Sequence, residues 1–98
     1  MLIHNIALKK ELKNVLFLTL MKALSGRAAD QPATLKRIWS VTPPANIKVH
    51  GVYFLFGRYD GALLFEASDL KSAKDFILRA VAPVYKTETL TALPAEEL

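Results

Sequence analysis

The sequence predicts an α+β domain with the element order strand, helix, strand, strand, helix, strand. Three observations predict it. Apolar, β-prone runs of strand length recur at 14–20, 47–56, 61–66 and 84–93. Between the first and second of these, and again between the third and fourth, apolar residues recur at helical spacing. The two middle runs flank the short connection Gly57-Arg58-Tyr59-Asp60, whose glycine and aspartate are hairpin residues.

Residues 1–13 read as an N-terminal extension and 14–98 as one domain. In the extension, Leu2, Ile3 and Ile6 fit one side of a short helix, with Lys9, Lys10 and Glu11 solvated. Asn14 to Leu20 is continuously apolar, which suits a strand covered on both faces. Ser25-Gly26 breaks the chain, Asp30 is placed to cap a helix, and Pro32 is tolerated in its first turn. Leu35, Ile38 and Trp39 form that helix's apolar stripe, so Trp39 is expected in the core. Thr42-Pro43-Pro44 stops it, because proline lacks an amide donor and restricts the residue before it.

From Ile47 to Phe56 the strand alternates at first and is then apolar on both sides. Strict alternation puts Lys48, His50, Val52, Phe54 and Phe56 on one face. In the next strand Leu63 and Phe65 share a face, with Ala62 and Leu64 opposite. Ser68 or Asp69 caps the second helix, whose stripe is Leu70, Ala73, Phe76, Ile77, Ala80 and Val81. Pro83 ends it, and the last strand carries Thr87, Thr89 and Thr91 on one face.

This order is the ferredoxin-like split βαβ arrangement, βαββαβ. Right-handed crossovers set both helices on one face of a four-stranded antiparallel sheet. A chain of 98 residues is one domain with a limited core, yet 52% of it is hydrophobic and the mean hydropathy is +0.23. Val52, Phe54 and Phe56 are therefore expected to meet something dry on the helix-free face. A homodimer paired sheet to sheet about a two-fold axis accounts for both features.

Other classes fit less well. The apolar run 15–21 is cut by Lys22, too short for a membrane span of about 20 residues, and it suits a buried strand better than a signal peptide. There is no cysteine, so disulfides, thiolate nucleophiles and thiolate-ligated metals are excluded, and the chain suits a reducing cytoplasm. His50 and His4 are the two histidines, and no metal-ligand spacing joins them; one axial histidine would suffice for haem, but an exposed strand residue is the simpler reading of His50. No metal and no cofactor is expected. A net charge of +4, scattered along the chain, does not point to nucleic acid. His50-Gly51-Val52-Tyr53-Phe54-Leu55-Phe56 only loosely follows the aromatic motif of RNA-recognition domains and lies in the second strand rather than the third.

Three motifs carry a resemblance to a known family: Gly51-Val52-Tyr53 leading to Gly57-Arg58-Tyr59-Asp60, Phe65-Glu66-Ala67 before a capped helix, and Lys86-Thr87-Glu88-Thr89-Leu90-Thr91-Ala92. Together they resemble the GYD domain family, small proteins largely of unknown function. The chain departs from the family at Pro43-Pro44-Ala45-Asn46, where a paired glycine is common, and at Ser68, where proline is usual. The resemblance implies a ferredoxin-like fold related to the dimeric α+β barrels, some of which bind haem, small metabolites or amino-acid effectors.

The candidate ligand-binding residues are Tyr53, Arg58, Tyr59 and Asp60. Arg58 could clamp an anion, Asp60 could accept a hydrogen bond or act as a base, and the tyrosines offer phenolic donors. Turn chemistry alone accounts for Gly57 and Asp60, but not for Arg58-Tyr59. The candidate interface residues are Val52, Phe54 and Phe56. No Ser-His-Asp or Cys-His motif and no phosphate loop is present, so an enzyme of the dimeric-barrel type, with Asp60 or His50 in proton transfer, stands as an alternative to a binding domain or an assembly module.

Overall fold

The structure, a computed structural model, describes residues 14–24 and 31–98. The expected helical extension at 1–13, the Ser25-Gly26 break and the Asp30 cap lie outside the described residues. The elements are β1 (Val15–Ala23), α1 (Gln31–Ser40), β2 (Ile47–Phe54), β3 (Gly61–Ala67), α2 (Leu70–Ala80) and β4 (Tyr85–Ala92), followed by a 3-10 turn at Ala95–Glu97. The sheet is antiparallel with spatial order β2-β3-β1-β4, so β1 and β3 are central. This is the ferredoxin-like fold.

One face of the sheet is dry. Phe17 and Thr19 of β1 stand opposite Phe65 and Leu63 of β3, all buried. Phe65 stacks on Phe17 at 5.5 Å and meets the edge of Phe76 from α2 at 5.3 Å, which ties the helix to the sheet. Thr19 is a buried polar residue, and its hydroxyl is satisfied by that of Thr89 at 2.8 Å. At the start of α1, Gln31 is buried and accepts a 2.6 Å hydrogen bond from the Tyr85 hydroxyl. Burial raises the Tyr85 pKa, and the Asp60 charge adds to the effect while Arg37 opposes it.

Asp69, not Ser68, caps α2. Its backbone is extended (φ −160°) and its carboxylate accepts the Ser72 amide at 2.7 Å. That amide bond holds the Asp69 carboxyl below its ordinary pKa.

Three expectations about packing are corrected. Trp39 is 57% exposed: α1 turns Gln31 and Leu35 inward and Ile38 partly so, which leaves Trp39 on the outer flank. Leu70, in the first turn of α2, is exposed as well, and Ala73, Phe76 and Ile77 carry that helix's burial. The largest correction concerns β2. Val49 pairs with Phe65, but the next pair is Gly51 with Leu64, so His50 is an extra residue in a β-bulge. A one-residue slip exchanges faces for all that follows. Val52 therefore stands opposite Leu63, and Phe54 opposite Gly61, on the helix-covered face.

Candidate functional site

Among the described residues one face of the sheet carries no helix, and that helix-free face is built row by row from the pairing register. Its central row is Gly51, Leu64, Leu18 and Leu90, crossing the sheet from β2 to β4. On one side lies Glu66, Leu16 and Ala92, and on the other Tyr53, Ala62, Leu20 and Glu88. Leu16, Leu18, Leu20 and Leu64 are half-buried, and Leu90 is exposed. Charge is confined to the rim, where His50 is hydrogen-bonded to Glu66 at one end and Lys22 stands opposite Lys86 at the other.

Tyr53 belongs to this face. A Cβ placed on Gly51 would come within 2.4–2.9 Å of the Tyr53 ring and hydroxyl, so the ring lies over the glycine. That contact explains a glycine inside a strand, where its missing side chain otherwise weakens packing.

The hairpin tip closes the other end of the face. Gly57, at φ +122°, occupies a region of backbone space that side-chain-bearing residues avoid. Asp60 is tied to the backbone around it: one carboxylate oxygen accepts the Ala23 amide at 2.7 Å, its own amide donates to the Met21 carbonyl at 2.8 Å, and its carbonyl accepts from the Leu55 amide at 3.0 Å. These bonds pin the hairpin to the end of β1. Tyr59 then reaches over to β4, where its hydroxyl donates to Glu88 at 2.7 Å. That bond to a carboxylate raises the Tyr59 pKa, and the nearby Arg58 charge works against it. The Arg58 guanidinium sits 6.0 Å from the centre of the Tyr59 ring.

Of the four candidate ligand residues, Tyr53 and the Arg58-Tyr59 pair are thus brought to one end of one face, and Asp60 is an anchor beneath them. Tyr53 and Glu88 end the same row on opposite edge strands, three strand spacings or roughly 14 Å apart. Ala62 and Leu20 fill the row between them.

The candidate interface residues fall elsewhere. Val52 packs against the core under the helices. Phe54 and Phe56 meet edge to face at 5.1 Å, with Phe56 91% exposed. Phe54 also lines a cleft beside α1 with Trp39, Lys36 and Tyr53. Sequence reasoning missed Leu16, Leu18 and Leu20 as members of this face, because a continuous apolar run hides which alternate residues are covered, and it missed Leu90, a lone apolar residue between threonines. Glycine inside the strand was the signal for the bulge.

Among the described residues no group of three or more His, Asp or Glu side chains is arranged to hold a metal ion, and no helix is long and apolar enough to cross a membrane. A separate groove of about 590 Å³ lies on the opposite side of the sheet, between α1 and α2.

No family model matches the sequence, and no curated protein matches it significantly. Solved structures do resemble it. MtbAldR superposes with a TM-score of 0.68 at 17% identity, over 82% of this chain and 52% of its own. AsnC from E. coli gives 0.66 at 19%, over 88% and 55%. TTHA0845 from Thermus thermophilus gives 0.62 at 24%, over 83% and 95%. The fold is shared with all three. This chain spans about half the length of MtbAldR and AsnC and nearly the whole of TTHA0845.

Proposed function

We propose that this chain is a homodimeric binding domain of the GYD type, in which two helix-free faces pack as in the dimeric α+β barrels. The observation that carries the reading is the row Gly51, Leu64, Leu18 and Leu90, apolar across the full width of the sheet, rimmed by charge and covered by no helix among the described residues. Covering what remains exposed of each leucine contributes on the order of 1 kcal/mol, and a two-fold axis doubles every contact. Tyr53 and the Tyr59–Glu88 pair, at the two ends of the adjacent row, border the space between the sheets and are the polar groups offered to a small molecule there.

A catalytic reading has less support. Tyr85 is a buried ionisable group with a raised pKa, but its hydroxyl is spent on Gln31 inside the core. One oxygen of the Asp60 carboxylate is engaged by the Ala23 amide. Nucleic acid is not excluded by the fold, so an oligonucleotide belongs in the binding test.

Native mass spectrometry of the untagged protein tests the reading. Wild type is expected as a dimer or a multiple of dimers, and Leu18→Asp as a folded monomer. Leu90→Asp, at the exposed end of the row, serves if Leu18→Asp does not fold. A monomeric wild type, or a dimer untouched by both substitutions, sinks the proposal. Phe54→Asp, aimed at the helix-covered side, is expected to leave the dimer intact.

A further inference from the structure

The groove between α1 and α2 is not used by the sheet-face dimer. Its floor is apolar: Ile47 and Phe76 are buried there, and Ile38 and Val84 are partly so. Its walls carry two arginines and one aspartate. Arg37 stands in the last turn of α1 and Arg79 in the last turn of α2, so each wall contributes one arginine to the lining of the same cavity. Among the described residues neither guanidinium forms a salt bridge. The carboxylate in the groove, Asp75, is engaged by Lys71 at 3.1 Å. Asn46 donates to the Ser72 hydroxyl at 2.6 Å, which ties the α1–β2 connection to α2 and fixes one end of the groove.

From this arrangement we infer that the groove binds a small amphipathic carboxylate, its charged group held between Arg37 and Arg79 and its apolar body laid on Phe76, Ile38 and Val84. The volume of about 590 Å³ is that of an ordinary small-molecule site. Arginine suits the role because its planar fork matches a carboxylate with two parallel hydrogen bonds. Two arginines at helix C-termini also complement the helix dipoles, which is a reason for positive charge there. It is no reason for both to line one cavity, and it is separable by experiment. Lysine keeps the dipole contribution and loses the fork.

The inference stands apart from the dimer, because the groove is complete within one chain. The test is a titration of the ¹⁵N-labelled protein with hexanoate, with hexanol as the uncharged match for its apolar body. Hexanoate is expected to shift amides of residues 41–46 and 72–84 saturably, and hexanol to bind at least about tenfold more weakly, the scale of a lost charged hydrogen bond. Arg37→Gln and Arg79→Gln should each weaken hexanoate by about tenfold, and the lysine variants by less. Leu18→Asp should bind as wild type does, so failure of the dimer reading and failure of this one are distinguishable. Absence of saturable shifts, equal binding of hexanol, unchanged affinity in the double glutamine variant, or shifts confined to the sheet face would each overturn it.

Discussion

Asp60 divides two accounts of the hairpin, and its substitution has a magnitude that the geometry sets. The carboxylate accepts the Ala23 amide at 2.7 Å in a partly buried position. Asp60→Ala removes the acceptor and leaves that amide without it. A hydrogen bond to a charged group contributes about 2 kcal/mol. For a domain of this size each kcal/mol moves Tm by about 4–8 °C, so Asp60→Ala should lower Tm by about 8–16 °C. Asp60→Asn retains an oxygen at the same place and loses only the charge assistance, so it should lose about half as much. Thermal unfolding followed by circular dichroism, at one fixed protein concentration because a dimer's Tm depends on it, measures both. A shift for Asp60→Ala below about 2 °C would refute the anchoring argument. The same result joined to loss of ligand binding would move Asp60 from the scaffold to the site.

Three further outcomes are expected. Phe65→Ala empties the place where Phe17 and Phe76 meet; it should cost about 3–5 kcal/mol in denaturant unfolding, a large share of a small domain's stability. Gly57→Ala meets no steric contact but must hold φ at +122°, and should cost about 1–3 kcal/mol, with Gly57→Asn milder than Gly57→Val. Glu88→Gln should bring the Tyr59 phenol back toward its ordinary value of 10.0, read by absorbance at alkaline pH, while Tyr85 stays high. Because the folded Tyr59 pKa is raised, the contribution of its bond to Glu88 is complete below the unfolded value and fades as pH rises through the folded one. An unchanged Tyr59 titration in Glu88→Gln would mean that the bond is not the cause.

The fold was legible in the sequence because its signals are local. Asp69 and the stripe from Ala73 to Ile77 announce α2, Pro43-Pro44 ends α1, and the Gly- and Asp-containing turn joins β2 to β3. The sheet order follows from chain order and crossover handedness, and the structure has it. What was not legible depends on contacts distant in sequence. Strand alternation assigns faces only while the ladder is regular, and the extra residue at His50 exchanges Val52 and Phe54 for Gly51 and Tyr53. Helical spacing gives a stripe but not its centre, which is set by where α1 meets the sheet. Gln31 lies inward because Tyr85, 54 residues away, offers it a hydroxyl. The Arg37–Arg79 groove exists only once the helices lie side by side. In the hairpin, glycine and aspartate were readable as turn chemistry, whereas the reach of Tyr59 to Glu88 was not.

The bulge at His50 also governs how the two edges of the sheet, β2 and β4 among the described residues, differ. A neighbouring strand adds to a sheet by matching a regular sequence of backbone donors and acceptors. On β2 that sequence is interrupted within its eight residues, so an incoming strand would lose register halfway along. On β4 the pairing with β1 runs without interruption from Tyr85 to Ala92. Strand addition, whether by a partner peptide or in aggregation, is thereby directed to the β4 side, where Lys86 and Glu88 stand as charged guards at one end.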